Sequence, residues 1–158
     1  MTGLRTVFTP LRAFTWQAIK GWVRQSFPAV QTISTAELAD WLGQDSQPVL
    51  IDARRPAEYA ISHLPQAIQA NSVEAVEAAA IPKDEPIVIY CSVGYRSARL
   101  GHQLQAAGYQ VMNLEGSLFQ WANEGRSLRA AAGPTRQVHP YNPLWGMLLD
   151  PSAVAVAK

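Results

Sequence analysis

The segment Ile87-Val88-Ile89-Tyr90 is apolar at every position and stops at Cys91. A strand with one face in water alternates apolar and polar residues, so an unbroken run fits a central parallel strand covered on both faces. From Ser97 the spacing turns helical, with Leu100, Leu104 and Ala107 on one stripe and Gly108 to close it. Strand, loop and helix in that order are α/β grammar, and the middle of the chain repeats it.

Thr32-Ile33 reads as a short strand, and Ser34 or Thr35 can cap a helix reaching Leu42, where Gly43 supplies the stop. A strand over 48–52 precedes a short helix over 56–60, a turn at His63-Leu64-Pro65 and a third strand near 67–70. Asn71 or Ser72 can cap an Ala-rich helix through Ala80; beyond Gly108 come a last strand over 110–113 and a helix over 117–123. Residues 1–30 hold Arg5, Arg12, Lys20 and Arg24 and no acidic residue. There Thr9-Pro10 is a helix start signal, and Leu11, Phe14, Ala18, Ile19, Trp22 and Val23 recur at three-to-four spacing until Pro28. Beyond Gly125 no periodicity stands out apart from the apolar piece at 144–149. The expected organisation is a basic amphipathic helical extension at 1–30, one domain at 31–126 and an extended tail at 127–158.

Composition narrows the function classes. Of 158 residues, 48% are hydrophobic, enough for one packed core. The formal net charge of +1 supplies no field for a nucleic-acid backbone. Cys91 is the single cysteine, so neither an intrachain disulfide nor a Cys-rich zinc site can form, which fits a reducing, cytoplasmic setting. His63, His102 and His139 lack metal-ligand spacing, and no metal or other cofactor is expected. Arg12, Gln17, Lys20 and Arg24 interrupt the most apolar early region, so no membrane crossing is expected. The N-terminal helix and the apolar tail suit docking on the domain, a second copy or a protein partner, with peripheral contact to an anionic membrane as the sharper alternative.

Cys91 sits where ligand crevices form, at the carboxyl end of a central strand. The loop Cys91-Ser92-Val93-Gly94-Tyr95-Arg96-Ser97 is short enough for its backbone amides to converge into an anion nest, with Gly94 permitting the special dihedral this requires. Those amides, the helix dipole and Arg96 all favour thiolate over thiol. Asp52 and Arg54, at the end of the second strand, lie near the expected pocket rim, where such residues serve a site or simply order a loop. Tyr95 at the loop tip either lines the mouth or packs. His63 reads as ordering its turn.

These residues resemble the single-domain rhodanese-like sulfurtransferases over about 31–126. Beside the cysteine loop, Leu50-Ile51-Asp52-Ala53-Arg54-Arg55-Pro56-Ala57-Glu58-Tyr59 is similar to the family's first signature and His63-Leu64-Pro65-Gln66-Ala67 to its second. Asn113-Leu114-Glu115-Gly116-Ser117, followed by Trp121 and Gly125, is similar to its closing strand and helix. The resemblance implies a three-layer α/β fold with a central, mostly parallel five-stranded sheet flanked by helices. It also implies a ping-pong reaction in which Cys91 takes a sulfane sulfur from thiosulfate, a persulfide or a polysulfide, and passes it to cyanide, a thiol or another thiophilic acceptor. Cys91 and Arg96 would be catalytic, and Ser92, Val93, Gly94, Tyr95 and Ser97 would hold the substrate.

Three positions depart from the pattern. Ser92 stands where many members carry a basic residue, making the pocket mouth less positive. Gln66 and Ser117 each replace a usual glycine, and neither is expected to touch the chemistry. The competing reading is a non-catalytic rhodanese-like module that recruits partners through its two ends. A small phosphatase or arsenate reductase is disfavoured by the six-residue loop from Cys91 to Arg96, one residue shorter than the family's phosphatase branch.

Overall fold

Strand and helix alternate from residue 31 to residue 123 in the computed structural model, which describes residues 5–156. The order is α1 (Arg5–Ser26), β1 (Gln31–Ile33), α2 (Thr35–Leu42), β2 (Val49–Asp52), α3 (Pro56–Ile61), β3 (Ile68–Gln69), α4 (Val73–Ala78), β4 (Pro86–Tyr90), α5 (Tyr95–Ala106), β5 (Gln110–Leu114) and α6 (Ser117–Asn123). A hairpin of β6 (Leu128–Ala130) and β7 (Gly133–Thr135) follows, then α7 (Pro143–Gly146) and a 3₁₀ turn at Pro151–Ala153. Ser34 caps α2 in a reciprocal box with Glu37, and Ser72 caps α4.

The first five strands form one sheet in the order β1-β5-β4-β2-β3, and every pairing in it is parallel. The apolar run of β4 lies at the centre between β5 and β2. Successive side chains on a strand point to opposite faces, so the run feeds two cores. Ile87 and Ile89 pack with Leu100 and Leu104 of α5 and Val76 of α4. Val88 and Tyr90 pack on the other side with Leu38 of α2 and Leu118, Phe119 and Trp121 of α6. Helices on both faces of a parallel sheet complete the three layers, and all five strands are parallel where a mostly parallel sheet is expected.

Helix α1 and the segment after α6 both lie against the second of these cores. Ile19 and Val23 of α1 are buried in it, Arg24 pairs with Glu115 at 3.1 Å, and Arg12 donates to the Leu148 carbonyl. Pro10 lies inside α1 rather than at its start; so near the helix N-terminus, its missing N–H forfeits one hydrogen bond. In the segment after α6, Leu128, Val138, Leu148 and Leu149 are buried in the same core. The hairpin ties to the main body by paired backbone bonds between His63 and Arg129. The sequence marks this segment only by its apolar residues, because its strands are three residues long and carry no legible alternation. Among the described residues no helix is long and apolar enough to cross a membrane.

Candidate active site at the end of the central strand

Strand β4 delivers Cys91 to the rim of the sheet, and the chain turns there into α5 through Gly94, whose φ of +113° is a conformation that side chains avoid. An added Cβ at that position would meet only ordinary contacts, so the need for glycine is dihedral rather than steric. The turn brings the Gly94 amide to 3.2 Å from Cys91 Sγ and the Ser97 hydroxyl to 3.4 Å. Ser97 has one proton and three acceptors in reach, of which Asn113 Oδ1 at 2.6 Å is the nearest. The proton therefore goes first to Asn113, leaving the hydroxyl oxygen facing the sulfur. Asn113 also donates to the Gly94 carbonyl, so β5 holds both ends of the turn.

Helix α6 secures the loop from beneath. Its Leu118 and Phe119 amides, donors with no partner inside the helix, bond the carbonyls of Cys91 and Ser92. The Ser117 hydroxyl accepts the Cys91 amide at 3.3 Å and donates to the Leu114 carbonyl. Ser117 thus touches the very residue on which the chemistry is centred, contrary to the expectation from sequence. It does so at φ +50°, and Gln66, the other residue standing where the family usually has glycine, sits at φ +66°. At both positions the left-handed turn survives the loss of glycine.

Arg96 keeps 30% of its side chain exposed and is held by α3. Its two terminal nitrogens meet both carboxylate oxygens of Glu58 at 2.9 and 3.0 Å, and Nη2 also donates to the Ser92 hydroxyl at 2.9 Å. Glu58 is buried and further accepts the backbone and side-chain N–H groups of Arg55. Burial pushes its carboxyl up, but Arg96 and Arg55 outweigh that and hold it down at about 2. Burial pulls the Arg96 guanidinium down, and Glu58 more than restores it. Sequence reasoning missed Glu58 as a site residue, although it lies within the first signature and begins α3 as a capping acid. It also missed Asn113 and Ser117, which reach the loop only through the fold.

Asp52 and Arg54 take a different position from the pocket rim suggested by sequence. Both side chains are 0% exposed and are paired at 2.7 Å inside the protein. Arg54 also donates to the Ser62 carbonyl, and Gln69 donates to the Arg54 carbonyl. The pair stands close to Tyr90, whose hydroxyl accepts the Leu64 amide. Burial first, and then Asp52, push that phenol well above its ordinary value, so it stays neutral. Tyr90 immediately precedes Cys91 and ends the strand.

The remaining residues are plainly placed. Tyr95 is stacked on Trp22 of α1 at 4.4 Å with Phe27 edge-on, so it packs. His63 stacks on Tyr59 and bonds its carbonyl, ordering the turn after α3. Cys91 is 1% exposed, and Ser92, Val93, Gly94 and Ser97 are buried around it. The assembly can hold an anion: one sulfur, one loop amide aimed at it, and one fixed guanidinium beside it.

A family model described as Rhodanese-like domain matches residues 34–124. A protein of Allochromatium vinosum named sulfurtransferase is 35% identical over 106 residues, which cover 66% of this chain and 99% of that one. The solved structure of a rhodanese-like domain protein from Staphylococcus aureus is 28% identical, with a TM-score of 0.57 over 64% of this chain and 98% of its own. A thiosulfate sulfurtransferase from Pseudomonas aeruginosa, 22% identical, shares the fold with a TM-score of 0.62 over 84% of this chain and 26% of that one.

Proposed function

The chain belongs to the rhodanese-like family, and from that premise we propose that it is a sulfurtransferase working through a persulfide on Cys91. The observation that carries the reading is the Gly94 amide at 3.2 Å from Cys91 Sγ, with Arg96 anchored alongside by Glu58 and Ser92. A thiolate so placed attacks the outer sulfur of a donor such as thiosulfate. The donor's S–S bond breaks, sulfite leaves with the electron pair, and a new S–S bond joins that sulfur to Cys91. The outer sulfur then carries the negative charge, which loop amides and the helix dipole stabilise. An acceptor nucleophile, cyanide or a thiolate, attacks this outer sulfur and releases the Cys91 thiolate, so no electron is gained or lost overall.

In this scheme Cys91 and Arg96 are the catalytic residues, and Ser92, Val93, Gly94 and Ser97 form the cradle together with the backbone of Tyr95, whose ring packs on Trp22. Arg96 orients the anionic donor and offsets charge on the leaving group, a task suited to a planar, fixed guanidinium. Glu58 is a positioning residue that keeps that guanidinium in one orientation. The Ser97 proton turns from Asn113 toward sulfur as charge builds there. A reducing, cytoplasmic setting keeps Cys91 free to turn over. The chemistry requires a sulfur donor and a thiophilic acceptor, with persulfides and polysulfides as alternative donors to thiosulfate.

One observation favours a second reading, a non-catalytic recruitment module: Cys91 is only 1% exposed. Intact-protein mass after incubation with thiosulfate, and separately with a polysulfide, separates the two. A reducible gain of one sulfur, absent in Cys91→Ser, is the expected result. No gain from either donor, with Cys91 still open to alkylation, would sink the transferase reading.

A further inference from the structure

Tyr141 belongs to the C-terminal segment, outside the residues 34–124 that match the family, yet its ring lies on the site. The guanidinium of Arg96 stands over that ring at 4.6 Å from its centre and that of Arg55 at 5.2 Å. Arg96 in turn bonds Ser92, the neighbour of Cys91, so the ring covers one face of a cation anchored to the cysteine loop. The backbone at Tyr141 has φ +66°, a conformation a bulky residue adopts only when its surroundings impose it.

Its neighbours along the chain impose it. The Tyr141 amide donates to His139 Nδ1, and the Asn142 amide folds back to the Pro140 carbonyl. Pro140 is pressed so closely on Gly146 that a Cβ there would fall 2.8 Å from the proline ring. Val138 on one side and Leu148 and Leu149 on the other are buried in the core, pinning both ends of the segment. The residue is 37% exposed, with its ring against the two guanidiniums. Cation–π contacts at such exposed positions are individually weak, so this wall can be moved by a donor large enough to push it.

We propose that Tyr141 is a specificity-determining residue that narrows the approach to Cys91, favouring small anionic sulfur donors over bulky thiol persulfides. The proposal rests on Cys91 as the reacting group. A ring over the faces of Arg55 and Arg96 leaves to a compact anion the in-plane N–H groups that Glu58 and Ser92 do not take, while it occupies the space that the organic part of a larger donor needs. The aromatic wall comes from a segment beyond the residues that match the family model.

The test uses the full chain and Tyr141→Gly, which removes the ring and relieves the left-handed backbone, with Tyr141→Phe as the variant that keeps it. The kcat/KM for glutathione persulfide relative to thiosulfate should rise about tenfold in Tyr141→Gly, the scale on which pocket bulk discriminates substrates. Tyr141→Phe should return the wild-type ratio. An unchanged ratio in Tyr141→Gly overturns the proposal. Because Cys91 is the only cysteine, alkylation reports on access to it without any sulfur transfer. The rate with a fluorescein maleimide relative to iodoacetamide should rise similarly in Tyr141→Gly and return in Tyr141→Phe. If the alkylation ratio moves but the wild type transfers no sulfur, the gate stands and the transferase reading fails. If sulfur is transferred and neither ratio moves, the gate fails alone.

Discussion

Two carboxylate–guanidinium pairs flank the short connection from β2 into α3. Asp52 and Arg54 are both sealed from water, whereas Glu58 is buried but its partner Arg96 keeps 30% of its side chain exposed. The sealed pair is local in sequence, shares its bonds with the Ser62 carbonyl, and lies near Tyr90 at the end of β4. The half-open pair spans 38 residues and presents a cation beside Cys91. A buried ion pair is costly to desolvate and is kept in place by its further hydrogen bonds, so its use here is positional. The open pair gives up part of that rigidity for contact with a substrate. Similar chemistry serves the frame in one place and the site in the other, and exposure makes the difference.

The largest test of that contrast is Asp52→Asn, which leaves the Arg54 charge sealed without a counter-ion. Urea unfolding should show a loss of about 3–5 kcal/mol, with the melting temperature down by about 10 °C. A loss no greater than that of Glu58→Gln would erase the distinction between the pairs. Glu58→Gln should cost less, about 2 kcal/mol, since Arg96 can take up water. Its effect on sulfur transfer should be larger, about a tenfold fall in kcat/KM for thiosulfate, because the guanidinium loses its fixed orientation. Steady-state kinetics with that donor checks it.

The half-open pair also carries a pH signature. Glu58 is held at about 2, below its ordinary 4.5, so its stabilisation is full above pH 4.5 and is lost as pH falls toward 2. The stability gap between the wild type and Glu58→Gln should therefore close over that window, measured by denaturant unfolding at several pH values. A gap that stayed constant down to pH 2 would mean that the ion pair is not what the variant removes.

The smallest expected effect compares two left-handed residues. Gln66→Gly relieves backbone strain on the surface and should stabilise by about 1 kcal/mol. Ser117→Gly relieves the same strain but strips the Cys91 amide of its acceptor, and should show no net gain. Thermal melts of both variants side by side decide it, and an equal gain would show that the Ser117 hydroxyl contributes nothing.

Local features were legible in advance. The unbroken run 87–90 could be satisfied only by burial on both faces, and Gly94 three residues after Cys91 marked the turn. Two candidate caps stood at each of two helix starts, Ser34 or Thr35 and Asn71 or Ser72, because capping depends on residues three apart, and the structure uses Ser34 and Ser72. The residues that steady the site were not legible for the opposite reason. Asn113 reaches Gly94, Ser117 reaches Cys91 and Glu58 reaches Arg96 only after strands from distant parts of the chain pair. Arg54 looks like any surface arginine until its neighbours close over it.

The amino-acid order by itself determined the α/β alternation, the central strand and the cysteine at its end, because each depends on periodicity or on residues within a turn of one another. Tertiary structure alone decided which carboxylate holds Arg96, which ion pair is closed to water, and that Tyr141 from the last part of the chain comes to rest over the cation beside Cys91. Side-chain spacing is a property of one element, whereas burial and long-range contact are properties of the packed whole.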